Sequence, residues 1–171
     1  TYTDVAIDAK PVQQPCPIWI AANPSQEPFV TRAMKRVADI SDGWMTSEVF
    51  PGLFSMLYGK LKEALKESGR DAESFPNILY HNINIGSDPE SSLEESARFL
   101  AEYYGPVFSP AMVKAWTVAG TPQQCIERIR ELKAQGAQSM TFRMTAWDQK
   151  GQYQRLINEV LPAGVVNTVS G

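Results

Sequence analysis

The stretch PIWIAANPS, residues 17–25, decides how the whole chain is read. Ile18 to Ala22 is a short run rich in β-branched and aromatic residues, bounded by proline on both sides, as expected of a buried strand. It ends on Ala21, Ala22, Asn23, Pro24 and Ser25, which are small side chains carrying two polar groups, and not on an ordinary hydrophilic loop. From Phe29 to Ile40, the residues Phe29, Ala33, Val37 and Ile40 recur at helical spacing with Arg32, Lys35 and Arg36 on the other face. The unit is a strand, a small-residue loop and an amphipathic helix.

The unit repeats. Asp42-Gly43 is turn chemistry, and Trp44 to Thr46 is a second strand. Leu53, Leu57, Leu61 and Leu65 step by four with charged residues between them, and Gly69 stands where a C-terminal cap belongs. A third strand runs from Ile78 to Ile85, Ile83 and Ile85 alternating with Asn82 and Asn84. Asp88-Pro89 supplies a cap residue and a proline at the first helical position, ahead of the stripe Leu93, Ala97, Leu100 and Tyr104. Gly105 to Val118 has no clear period. Thr121 with Gln124 forms a capping box around Pro122, opening a helix with Ile126, Ile129 and Leu132 that ends near Gly136. Ser139 to Met144 is a fourth strand, and Tyr153 to Leu161 a last helix, stopped by Pro162 and Gly164. Residues 1–16, where Tyr2, Val5 and Ile7 alternate loosely, read as an extended connector, residues 163–171 as a tail, and the whole of 1–171 as a single partial domain.

Four strands separated by helices imply parallel pairing, because each helix returns the chain to the same end of the sheet through a right-handed crossover. The class is α/β, either an open doubly wound sheet or part of an eight-stranded barrel. With 171 residues and 43% of them hydrophobic, one core can be buried; 16 basic against 19 acidic side chains give a net charge of −3, no basis for gripping nucleic acid. No apolar run approaches the roughly 20 residues that cross a bilayer. Cys16 and Cys125 form no disulfide framework, which suits a reducing cytoplasm.

In either architecture the chemistry lies at the carboxyl ends of the strands. There, Ala21 and Ala22 allow a ligand to approach the backbone, Asn23 and Ser25 offer polar groups, and the following helix offers free amides for an anion such as phosphate. The same segment also reads as a plain turn with a capping serine. Thr46 and Ser47 end the second strand and reach the same ligand or a substrate, with helix capping the other role open to Ser47. Arg143 places a guanidinium over an anion or a ring if it faces inward, and pairs with a helix acid if it faces outward. His81, the only histidine, is the one candidate proton donor, against the commoner structural role of a strand histidine. One His and two distant Cys make no metal set. Cys125 reads as core. Binding groups without an acid–base pair favour chemistry carried by a cofactor.

Four stretches in register then resemble a known family: PVQQPCPIWIAANP (11–24), RAMKRVADISDGWM (32–45), ESGRD (67–71) and AGTPQQCIERI (119–129) are similar to the carboxyl-terminal half of the bacterial-luciferase-like flavin-dependent monooxygenases. The resemblance implies parallel (β/α) units forming the C-terminal half of a TIM (β/α)8 barrel, with these strands as its fifth to eighth. It also implies that the loop at Ala21, Ala22, Asn23 and Ser25 holds the phosphate end of FMN or of a deazaflavin, with Thr46 and Ser47 near the substrate side. Family members more often carry glycine or serine where this chain has Asn23-Pro24, and Pro24 has no amide hydrogen to donate. The activity implied is oxidation of a small organic substrate with reduced FMN and oxygen; deazaflavin-dependent hydride transfer, a non-catalytic flavin-binding module and a flavin-free phosphosugar barrel are the alternatives. A half-barrel exposes two edges and an apolar interior face, so the expected partner is the missing N-terminal half or another copy of the chain, and the fragment alone is expected to be inactive.

Overall fold

The computed structural model describes residues 3, 5 and 10–163. Its elements are β1 (Trp19–Ala21), α1 (Phe29–Ile40), β2 (Gly43–Ser47), α2 (Leu53–Glu67), β3 (Asn77–Ile85), α3 (Pro89–Tyr104), α4 (Pro110–Ala115), β4 (Thr117–Gly120), α5 (Pro122–Ala134), β5 (Ser139–Met144) and α6 (Gln149–Arg155). The chain continues from α6 into a π-helical turn, Leu156–Val160, and a 3-10 turn, Leu161–Ala163. Every strand pair is parallel.

Local chemistry sets the boundaries. Asp42 holds the start of β1 twice, its carboxylate accepting the Ile18 N–H at 2.7 Å and its own N–H donating to the Ile18 carbonyl. α2 closes on left-handed Gly69: the Gly69 N–H reaches the Lys66 carbonyl and the Arg70 N–H the Leu65 carbonyl, the two bonds of a Schellman motif. Asp88 caps α3 through the Ser91 N–H, and Thr121 with Gln124 completes the reciprocal capping box of α5.

The four strands read from the sequence are the ones that follow one another across the sheet, in the order β1, β2, β3, β5. The fifth, β4, falls in the segment without a clear period and is an addition to that reading. β3 is nine residues long; its first half pairs with β2 and its second half with β4 on the same edge, while β5 takes the opposite edge. The step from β3 to β4 thus runs backward relative to β1→β2→β3. A right-handed crossover running backward puts its helices on the other face of the sheet. Packing agrees. α1, α2, α5 and the π-helical turn bury Met34, Val37, Leu57, Leu61, Ile129, Leu132 and Val160 against Trp44, Leu79, Ile83 and Ile85. α3 and α4 gather Leu100, Val113 and Trp116 against Tyr80 on the opposite face.

The fold is therefore a set of parallel (β/α) units forming part of a (β/α)8 barrel, with α3–α4–β4 as an excursion over one end of the sheet. Residues 10–18 carry no regular secondary structure; residues 1, 2, 4 and 6–9 of the 1–16 connector, Tyr2 and Ile7 included, and 164–171 of the tail lie outside the described residues. Ala163, read as the start of the tail, belongs to the 3-10 turn. No helix among the described residues is long and apolar enough to cross a membrane.

Candidate functional site

Alternation along each strand sorts the candidate residues between the two faces. Ile20, Trp44 and Leu79 belong to the helix-packed core, so their neighbours Ala21, Met45, Ser47, Tyr80 and Asn82 share the other face. The register continues past β1: the Ala22 N–H donates to the Met45 carbonyl, and the Asn23 side-chain amide donates to Ser47 Oγ at 3.1 Å. Ser47 is thereby engaged by Asn23 and does not cap α2, which starts six residues later. Ala22 itself is buried in the core, where its carbonyl accepts the Trp44 indole N–H at 2.9 Å.

Arg143 pairs in register with Asn82 and so faces the same side as Tyr80. It donates through Nη2 to the hydroxyls of Tyr80 and Tyr104, and its guanidinium lies about 5 Å from the rings of Tyr80, Tyr103 and Tyr104. Among the described residues no helix acid forms an ion pair with it. Nη1 of Arg143 and both polar atoms of the Asn82 amide are buried without a hydrogen-bond partner. Asn84, next on this face, is occupied: its amide donates to Glu95 of α3 at 2.9 Å. Thus Asn23, Ser47, Tyr80, Asn82 and Arg143 form one polar row near the carboxyl ends of four strands, roofed in part by the end of α3.

Thr46 and His81 are on the wrong side for that row. Thr46 pairs in register with Leu79, a core residue, and is buried with its hydroxyl unpartnered. His81 has the parity of Leu79 and Ile83 and is fully buried, both ring nitrogens unpartnered. Burial foremost, with the charge of Arg128 adding to it, pushes the His81 imidazole down to about 3. His81, the candidate proton donor, thus lies in the helix-facing layer and not in the row at the strand ends.

Ser25 lies apart from the row. It lines a groove of about 410 Å3 with Gln26, Phe50, Pro51, Gly52 and Met56, at the ends where α1 and α2 begin. The amides offered by α1 are partly spent: the Val30 N–H bonds the Gln26 carbonyl, and Glu27 accepts both the N–H and the hydroxyl of Thr31. α2 is the more open end. Its N-cap is Gly52, in the left-handed region at φ 77°, with no side-chain cap. Buried Glu48 holds this turn by accepting the Gly52 N–H at 3.0 Å, and burial raises its carboxyl above the usual range. Cys125 is core, its thiol pushed up to about 12 by burial; Cys16 is exposed, and both are free thiols.

Tyr80, Asn82, Tyr104 and Glu48 were not singled out from the sequence. The signal for Asn82 was present, since Asn82 and Asn84 alternate with core isoleucines. Tyr104 sits in an apolar helical stripe in the sequence, and its contact with Arg143 depends on α3 crossing to the open face.

A family model described as luciferase-like monooxygenase matches residues 1–139. Among solved structures, the chain is similar to a coenzyme F420 dependent tetrahydromethanopterin reductase from Methanopyrus kandleri, at 20% identity and TM-score 0.65, covering 88% of this chain and 51% of that one. It is similar to an F420-dependent secondary alcohol dehydrogenase in complex with an F420-acetone adduct, at 15% identity and TM-score 0.69, covering 88% and 49%. It is also similar to a type II Baeyer-Villiger monooxygenase of Pseudomonas putida in complex with FMN, at 15% identity and TM-score 0.52, covering 84% and 47%. The chain spans about half the length of these structures. With most of its residues matched by the family model, the chain belongs to the luciferase-like monooxygenases.

Proposed function

We propose that this chain is the flavin-binding latter part of an oxidoreductase that oxidises a small organic substrate with reduced FMN and oxygen. The observation that carries the reading is the polar row at the strand ends, in which Asn82 and Arg143 keep buried donors and an acceptor unpaired. A flavin-type ring presents an edge of carbonyl oxygens and ring nitrogens, and these groups fit it: the Asn82 amide can both donate and accept, and Arg143 Nη1 can donate. Bound there, the cofactor supplies the redox chemistry.

The protein's own residues bind, orient and exclude water. Asn23 fixes Ser47 at the mouth of the row. Tyr80 and Tyr104 hold the Arg143 guanidinium in place, and its rings-on-all-sides setting lowers its affinity for water. Burial pulls the Arg143 pKa below its ordinary value, yet a guanidinium remains charged at any physiological pH. The phosphate end of the cofactor lies in the groove of Ser25, beside the first turn of α2, whose Gly52 and Leu53 N–H groups are taken by Glu48 and by the Phe50 carbonyl.

The open face and the outer edges of β1 and β5 are completed by the other (β/α) units of the barrel, supplied by the rest of the protein or by a second copy. Substrate and reduced cofactor meet only in that completed barrel. Deazaflavin-dependent hydride transfer is the second reading, favoured by likeness to two F420-dependent structures.

The test is reconstitution of the whole protein with FMN and, separately, with F420, followed by absorbance and by oxygen consumption with reduced cofactor. Tight FMN binding with substrate-dependent oxygen uptake is the expected result. F420 binding with no oxygen uptake selects the second reading, and FMN bound without turnover selects a non-catalytic module. A protein that takes up neither cofactor overturns all three.

A further inference from the structure

A cavity of about 560 Å3 lies beside β4, between α3, α4 and α5. Its walls are apolar, with Leu93, Ala111 and Ala119 among them, and it contains two cations, Lys114 and Arg128, but no carboxylate. Lys114 makes no ion pair among the described residues. Arg128 gives Nη1 to Glu131 at 3.0 Å and makes a second, longer ion pair through Nη2 with buried Glu48 at 3.7 Å. The third polar group is Thr117. It shares the cavity side of β4 with Ala119 while Val118 faces the core; it is only 4% exposed, and its hydroxyl has no partner. An unpartnered buried hydroxyl costs about 1–3 kcal/mol unless something bonds to it.

We propose that this cavity binds a small organic anion, with a carboxylate-type head held by Lys114, Arg128 and the Thr117 hydroxyl and a short apolar body against Leu93, Ala111 and Ala119. The volume is that of an ordinary small-molecule site. Cations beside apolar walls attract an anion and repel an ammonium. Thr117 pairs in register with Asn82 on the β4 side of β3 and so adjoins the polar row, whose Arg143 lies on the β5 side. The proposal does not rest on the flavin reading.

The experiment is calorimetric titration of the whole protein with octanoate, beside octan-1-ol and octylammonium as probes of the same body with other heads. Saturable octanoate binding is expected, with octylammonium giving none. Lys114→Gln and Thr117→Val should each weaken octanoate about tenfold, the loss of roughly one charge-assisted hydrogen bond. Thr117→Ser, which keeps the hydroxyl, should restore it, and FMN affinity should not move in Lys114→Gln. Should Thr117→Val fail to fold, exposed Lys114→Gln decides alone. Equal affinities for octanoate and octan-1-ol, no saturable octanoate binding, or octanoate binding unchanged in Lys114→Gln would each overturn the proposal.

Discussion

The two faces of one strand behave as two different materials. β3 gives Leu79, His81, Ile83 and Ile85 to the face covered by α1, α2 and α5, and Tyr80, Asn82 and Asn84 to the face that holds Arg143. On the first, side chains are sealed and a histidine is tolerated only as a neutral group. Buried polar atoms without partners occur on both, Thr46 and His81 on the first and Asn82 and Arg143 on the second, but on the second Thr141 and Ser139 are exposed, and Trp19 is 40% exposed. The contrast shows that position in the strand decides the chemistry of a residue more than its type does. His81 and Asn82 are adjacent, yet one belongs to packing and the other to the site.

Variants on the two faces sharpen or break this contrast. The largest effect is expected from Leu79→Ala, which empties a fully buried position and should cost about 2–5 kcal/mol in denaturant unfolding. An effect under 1 kcal/mol would mean that the helix-packed face is not the core. Next is His81, whose folded-state pKa, about 3, lies below its ordinary value of 6.5. Between those values the unfolded chain binds a proton that the folded chain does not. Stability therefore falls as pH drops from about 6.5 toward 3, by up to about 1.4 kcal/mol per pH unit from this residue. His81→Leu should flatten that limb; an unchanged pH profile would place His81 in water. A smaller cost, about 1–3 kcal/mol, is expected for Gly43→Ala, because a Cβ there would sit 2.5 Å from the Trp19 ring. The readout is the Trp19 indole resonance, which must shift. The smallest is Thr141→Ala on the open face, expected within about 0.5 kcal/mol of the parent; a loss above 2 kcal/mol would show that this face is packed after all.

The repeating core was legible because its helices are long enough to show their period. α2 places Leu57, Leu61 and Leu65 on one stripe, and the caps at Gly69, Asp88 and Thr121 announce their ends by residue type alone. β4 and α4 were not legible: strands of four residues and helices of six are too short for a period, and both sit among Gly and Pro. For the site, the row from Asn23 to Arg143 depends on parallel register between strands distant in sequence, which alternation within one strand does not reveal. Knowing that Asn82 and His81 point opposite ways does not say which way is open; that follows from the backward step to β4 and the helices it carries across.

The account turns on the open face being the one that meets the cofactor. The direct measurement is the FMN dissociation constant of the whole protein in two variants from opposite faces, Arg143→Met and His81→Leu, with thermal unfolding followed in parallel. Arg143→Met should weaken FMN by at least about tenfold, the equivalent of about 1.4 kcal/mol, with little change in unfolding temperature, while His81→Leu should leave FMN affinity untouched. FMN affinity that survives Arg143→Met and collapses in a folded His81→Leu would contradict it.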